Sequence, residues 1–189
     1  EELTNLQRQI IHQTRDLGRP KVESAREKLH ELNPETKVEV VTQVLEGQAL
    51  DDVVGSVDLV VDGTDNFPTR FGINAACLRQ RRPLVSGAAI RFEGQVSVYF
   101  PGQGDSPCYR CLYDDGAGTN ETCAQTGVVA PLLGIIGSVQ ALEALKVLMG
   151  IGTPLKGRLL LFDGLHMEWH TMRFKRDPQC PVCSTVPRD

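Results

Sequence analysis

Two Cys-x-x-Cys pairs, Cys108-Tyr-Arg-Cys111 and Cys180-Pro-Val-Cys183, stand on either side of residues 112–179. Each pair has the spacing with which one turn of chain grips a single ion, and together they supply four sulfurs for a tetrahedral zinc site. A local zinc ribbon closes over far fewer residues, so the fold itself has to return the C-terminal tail to the loop at residue 108. Redox chemistry is the competing reading, but a redox Cys-x-x-Cys ordinarily opens a helix after an early strand, and two copies would be needed. With four sulfurs committed, zinc would keep no open position and would staple tail to loop. Of the six cysteines, two remain. Cys77, in the apolar stretch 73–78, reads as a small buried hydrophobe. Cys123, in the polar loop 120–127, is a candidate nucleophile. A framework of this kind places the chain in a reducing cytosol rather than among secreted disulfide proteins.

The 189 residues, 41% hydrophobic, suffice for the core of one α/β domain. Residues 5–13 suit a short helix, and Pro20 opens a better one in which Val22, Ala25, Leu29 and Leu32 recur at helical spacing until Asn33-Pro34 stops it. Alternation predicts a strand over 37–41, and the apolar run 57–61 predicts a strand covered on both faces. Between them 47–54 suits a short helix. A helix over 67–80, strands over 83–86 and 94–100, a buried helix within 127–150, and strands over 158–162 and 167–174 complete an α/β rhythm. The expected architecture is a Rossmann-like mixed sheet with helices on both faces and C-terminal antiparallel strands. Its chemistry belongs on loops after strands, including the long loop 101–126.

Twenty-four acidic against twenty basic residues, a net charge of −4, argue against a nucleic-acid binder. The one basic cluster, Arg79-Gln-Arg-Arg82, reads as a solvated helix end. Gln140, Glu143 and Lys146 interrupt the longest apolar stretch, which argues against a membrane span. Directly after the buried strand, Asp62-Gly-Thr-Asp65-Asn66 offers two carboxylates and an amide. Either aspartate could simply cap the next helix. Alternatively, a carboxylate here could hold Mg²⁺ beside phosphates, which Asn5, Arg8 and Lys21 have the chemistry to clamp.

These segments together resemble the ThiF/MoeB/HesA adenylyltransferases, relatives of the ubiquitin-activating enzymes. The resemblance runs through residues 4–9, Arg19-Pro-Lys21, Gly63-Thr-Asp-Asn66, 86–95, 108–112, 126–131, 137–146 and 180–183. It implies an enzyme that uses Mg-ATP to adenylylate the C-terminal Gly-Gly carboxylate of a ubiquitin-like sulfur-carrier protein, releasing pyrophosphate, in thiamine or molybdopterin biosynthesis. By resemblance, Thr4, Asn5, Leu6, Gln7 and Arg8 line the nucleotide, with Arg8 and Lys21 on its phosphates. Asp65 holds Mg²⁺ with Asn66 beside it, and Cys108, Cys111, Cys180 and Cys183 hold structural Zn²⁺. Cys123 falls where thiamine-pathway members carry a cysteine of sulfur transfer. Homodimerisation is a further family expectation, which the apolar stretch around Gly134 and Gly137 permits.

Family members carry a strand, a Gly-rich nucleotide loop and an acidic residue before the Asn-Leu-x-Arg-Gln motif, and this sequence starts after them. The expectation is that residues 1–189 are the C-terminal majority of a single adenylating domain and bind ATP poorly alone, because backbone N–H groups of such a loop have no side-chain substitute. The alternative is a non-catalytic, zinc-stapled scaffold that docks a carrier protein or partner subunit. A nicotinamide-dependent oxidoreductase is disfavoured because no G-x-G-x-x-G follows a strand.

Overall fold

A computed structural model describes residues 2–114 and 127–185. It divides into two compact units, Glu1–Leu45 and Glu46–Asp189.

In the first unit the helix expected over 5–13 is replaced by two 3-10 turns, Leu3–Asn5 and Thr14–Asp16. A helix this short needs an apolar face to bury, and Ile10 is 91% exposed. Helix α1, Lys21–Leu32, follows Pro20 and ends at Asn33, in extended backbone. The buried side chains of this unit are polar: Asp16 and Ser24. Asp16 accepts from the Gln13 N–H (2.7 Å) and from Arg19 (3.1 Å), and Arg19 grips Glu27 through two further bonds of 3.0 and 2.6 Å. His12 Nδ1 lies 2.7 Å from Ser24 Oγ. Residues 37–41 join no strand, since no described segment pairs with them; Lys37 and Glu39, two apart, form an ion pair at 2.5 Å.

The second unit is built on one sheet of order β1-β2-β3-β4-β5, with β1 Val60–Asp62, β2 Leu84–Ile90, β3 Glu93–Tyr99, β4 Arg158–Asp163 and β5 Glu168–Arg173. β1 and β2 are parallel, joined by helix α3 (Phe67–Gln80); every other neighbour pair is antiparallel. Alternate residues of β2 point to opposite faces. Leu84 and Tyr99 pack with Ala76, Cys77 and Tyr109 on one side, whereas Val85, Val96 and Val98 pack with Leu132 and Ile136 on the other. Helices therefore cover both faces, as expected. Helix α2, Gly47–Gly55, lies against α3.

Helix α4, Ala130–Met149, presses onto β2 and β3 where glycines clear its path. A Cβ on Gly94 would come within 2.4 Å of Ile136, and one on Gly87 within 2.3 Å of Gln140. Gly150, at φ 64°, ends α4 in the left-handed conformation, its N–H bonding to the Lys146 and Val147 carbonyls.

Two expectations need correction and a third an addition. α4 is not buried all round: Leu132, Ile136, Gln140, Glu143 and Ala144 form its buried stripe, but Leu142, Leu145 and Leu148 are 62%, 53% and 56% exposed. Among the described residues it is the one helix long and apolar enough to cross a membrane. β1 is short and covered incompletely, with Val61 52% exposed. The arginine cluster at the end of α3 is exposed at Arg79 and Arg81, as expected of a solvated helix end, but it also has structural partners that the sequence did not reveal. Arg79 holds Asp51 of α2 through bonds of 2.7 and 2.6 Å, and Arg82 donates to the Gly55 carbonyl (2.8 Å), an acceptor the end of α2 leaves open.

Candidate functional site

The loop and the tail that carry the four sulfurs do meet. Sγ of Cys108 is 3.6 Å from Cys180 and 3.9 Å from Cys111, Cys111 is 3.4 Å from Cys183, and all four lie within 4.8 Å of one another. A tetrahedron of thiolates at ordinary Zn–S bond length has edges of about 3.8 Å, so the donor set and its spacing fit zinc. Cys108, Cys180 and Cys183 are buried and Cys111 is partly so. The knuckles form because Cys111 N–H bonds to the Cys108 carbonyl and Ser184 N–H to that of Cys180, at 3.0 and 3.2 Å. Backbone N–H groups of Cys108 and Cys183 also point at the sulfurs of Cys111 and Cys180.

Left to themselves, the thiols share protons. The hydrogen bond with Cys108 pulls Cys111 down to about 5 and pushes Cys108 far up, while burial pushes Cys183 up to about 12. Several thiolates in so small a space need a cation to offset their repulsion. Cys77 fits its expected role: it is buried, and desolvation, with the nearby Asp62 charge, pushes it up to about 12.

The second group of side chains lies at the end of β1. Asp62 is 2% exposed and does not cap α3, whose N-cap is Asn66. Its Oδ1 accepts from Thr64 N–H (2.9 Å) and Thr64 Oγ1 (2.8 Å), and its Oδ2 from Ser86 Oγ (3.3 Å). Gln140 of α4 donates to the Asp62 carbonyl at 2.8 Å. Asn66 is the N-cap of α3, its Oδ1 accepting from Thr69 N–H at 2.9 Å. Asp65 is thereby left exposed, its Oδ1 3.4 Å from Asn66 Nδ2. An exposed carboxylate on a turn pinned at both ends is a candidate cation ligand.

In the first unit, Arg8 donates to the Thr4 carbonyl (3.0 Å) and to Asn5 Oδ1 (2.7 Å). This brings Thr4, Asn5 and Arg8 together on one turn. Leu6 is partly buried and Gln7 exposed on the same turn, and Lys21, exposed, is the first residue of α1. Cys123 lies outside the described residues. Sequence reasoning passed over Arg70, Tyr109 and Gln140. A cation one helical turn after an asparagine was the available signal for Arg70; Gln140 is marked locally only as a polar break in an apolar stretch, and its partners are distant in sequence.

A mixed α/β sheet with a carboxylate turn after its parallel strand and a four-cysteine staple defines the class. The model of the ThiF family matches residues 2–182, and the chain belongs to that family. Over 181 residues it is 45% identical to the molybdopterin-synthase adenylyltransferase of Escherichia coli K12, covering 96% of this chain and 72% of the relative. It is 44% identical to the sulfur carrier protein ThiS adenylyltransferase of the same organism, covering 96% and 71%. Among solved structures, E. coli MccB with MccA-N7isoASN superposes with a TM-score of 0.81 at 21% identity, a likeness of fold. The match covers 98% of this chain and 57% of that one.

Proposed function

We propose that this chain belongs to an adenylyltransferase that activates the C-terminal Gly-Gly carboxylate of a ubiquitin-like sulfur-carrier protein with ATP. The observation that carries the reading is the match at 45% and 44% identity to two enzymes named as adenylyltransferases, one of molybdopterin synthase and one of a sulfur carrier. Arg8, Lys21 and the turn Thr4–Gln7 bind the nucleotide, and Asp65, with Asn66 beside it, holds Mg²⁺. The carrier carboxylate is already an anion at neutral pH, so attack on the α-phosphorus requires alignment and charge neutralisation rather than a general base. A P–O bond to the carrier forms and the bond to pyrophosphate breaks. Zn²⁺ on the four thiolates would keep tail and loop together, and Cys123 takes part in subsequent sulfur transfer. The exposed leucines of α4 support a homodimer, and reduced thiols suit the cytoplasm.

The test is ATP–pyrophosphate exchange by the full-length protein with purified carriers. Exchange that requires a carrier with an intact Gly-Gly end is expected. Its absence with thiamine-type and molybdopterin-type carriers alike, in zinc-loaded protein, overturns the proposal.

A further inference from the structure

Arg70 is a buried cation, 9% exposed, whose described contacts include no carboxylate. Its Nε (3.0 Å) and Nη2 both donate to the Thr64 carbonyl, and its Nη1 lies 3.4 Å from the Tyr109 hydroxyl. Thr64 O belongs to the peptide that joins Thr64 to Asp65. A planar two-donor grip on that oxygen fixes the plane of the peptide and with it the direction in which Asp65 leaves the turn. Asp62 holds the preceding N–H of the same turn, so Arg70 supplies the constraint on the other side.

Tyr109 stands between the two cysteines of the first knuckle. It is 2% exposed, its N–H donates to Asn74 Oδ1 of α3 at 2.9 Å, and its ring packs edge-on against Phe71 of the same helix, centroids 6.0 Å apart. Its hydroxyl therefore ends at Arg70 by way of a rigid wall. The chain of contact runs from the thiolates through Tyr109 to Arg70, the Thr64 carbonyl and Asp65.

We propose that Arg70 is the positioning residue for Asp65, and that Tyr109 ties it to the cysteine staple so that the staple sets the aim of the Mg²⁺-binding carboxylate. This rests on the proposed role of Asp65. It also gives the staple a task beyond holding the tail, since a knuckle that shifts carries the Tyr109 hydroxyl away from Arg70. Burying a guanidinium without a carboxylate is costly, and the carbonyl grip is what the charge is retained for.

The experiment measures Mn²⁺ affinity by electron paramagnetic resonance in the full-length protein with a non-hydrolysable ATP analogue, in wild type, Asp65→Asn, Arg70→Gln and Tyr109→Phe. Zinc content and the thermal midpoint are recorded for each. Arg70→Gln is expected to weaken Mn²⁺ about tenfold, as loss of a partner that orients a ligand does, and Tyr109→Phe about threefold. Both keep stoichiometric zinc, and in both the rise in KM for the metal exceeds the fall in kcat for exchange. Tyr109→Phe retains the ring and its packing, so it decides the matter if Arg70→Gln does not fold. Wild-type Mn²⁺ affinity in Tyr109→Phe and in folded Arg70→Gln, with Asp65→Asn weakened, overturns this proposal alone. Unchanged affinity in Asp65→Asn overturns the role of Asp65 and this inference with it.

Discussion

The second unit holds two groups of candidate functional side chains built on opposite terms. Three of the four thiols are buried, Cys180 at 0% exposure, and Cys111 is partly so, and their positions follow from two local turns brought together by the fold. Asp65 is exposed, and its position is imposed by Asp62, Arg70 and Asn66 around it. A buried metal site is a source of stability, because its ligands have no other acceptable environment. An exposed carboxylate adds nothing to stability that water would not supply. It can be lost without unfolding the protein, and its value lies in where it points.

Breaking the staple is expected to give the largest effect on folding. Cys180→Ser should abolish stoichiometric zinc and destabilise by more than about 4 kcal/mol, the range of lost metal sites, which for a chain of this size lowers the thermal midpoint by roughly 10 °C or more. Elemental analysis and calorimetry check both. Asp65→Asn inverts the pattern. Exchange should fall about 10²-fold or more, in keeping with loss of a group that stabilises developing charge, while stability stays within about 0.5 kcal/mol of wild type, as for a surface change. A large loss of stability in Asp65→Asn would erase the contrast between the groups.

How much of this was legible in the sequence differs between the same two groups. Cys-x-x-Cys is a local pattern, and only the meeting of the two pairs had to await the fold. The extent expected for α3, 67–80, agrees with the structure, although its N-cap is Asn66 and neither of the two aspartates that the sequence offered for that place. Residue type and spacing did not separate Asp62 from Asp65, because either aspartate could cap the next helix; only the family resemblance singled out Asp65. Burial distinguishes them, and burial of Asp62 depends on Ser86 and Gln140, which lie 24 and 78 positions away. For the same reason α4 was misread as buried throughout. An apolar stretch records that surface is to be covered, but not by what, and among the described residues only one stripe of α4 is covered by this sheet. Residues 37–41 alternate as a strand does, yet alternation supplies one strand and not its neighbour.

The turn can also be loosened from behind, with an effect of intermediate size. Gly87→Ala would place a methyl where Gln140 now reaches the Asp62 carbonyl, at 2.3 Å from its Cδ. Overpacking of this kind costs about 1–3 kcal/mol, and the displaced amide would release one side of the Asp62 turn. Denaturant unfolding should register the loss, and exchange should fall more than in Gly94→Ala. That second variant crowds α4 to a similar degree through Ile136, at 2.4 Å, but touches no residue of the turn. Equal losses of exchange in the two variants would show that α4 supports the turn only through general packing.

The smallest expected effect concerns the Asp51–Arg79 pair that joins α2 to α3. Hydrogen bonds from Arg79, and then its charge, hold Asp51 below the ordinary 3.8. The folded state therefore binds fewer protons at this group than the unfolded chain does, and stability rises with pH through the window between the two values. The contribution is complete above 3.8 and is lost as the pH falls through the lowered value. Because Arg79 is half exposed, with 51% of its side chain open to water, solvent screens the pair and the change is modest. Asp16, Glu27, Glu39 and Asp163 are also held low by their partners, so acid destabilises the wild type through several groups at once. Asp51→Asn isolates one of them. Its thermal midpoint should lie below that of wild type at neutral pH and converge on it in acid, whereas a constant gap at all pH values would mean that the charge of Asp51 contributes nothing and that the loss has another source. The cysteine staple and the Asp65 turn should not notice: zinc content and Mn²⁺ affinity in Asp51→Asn are expected to match wild type, because Arg79 lies at the other end of α3 from Asn66 and Arg70, and it is Leu78, not the Asp51–Arg79 pair, that packs against the cysteines.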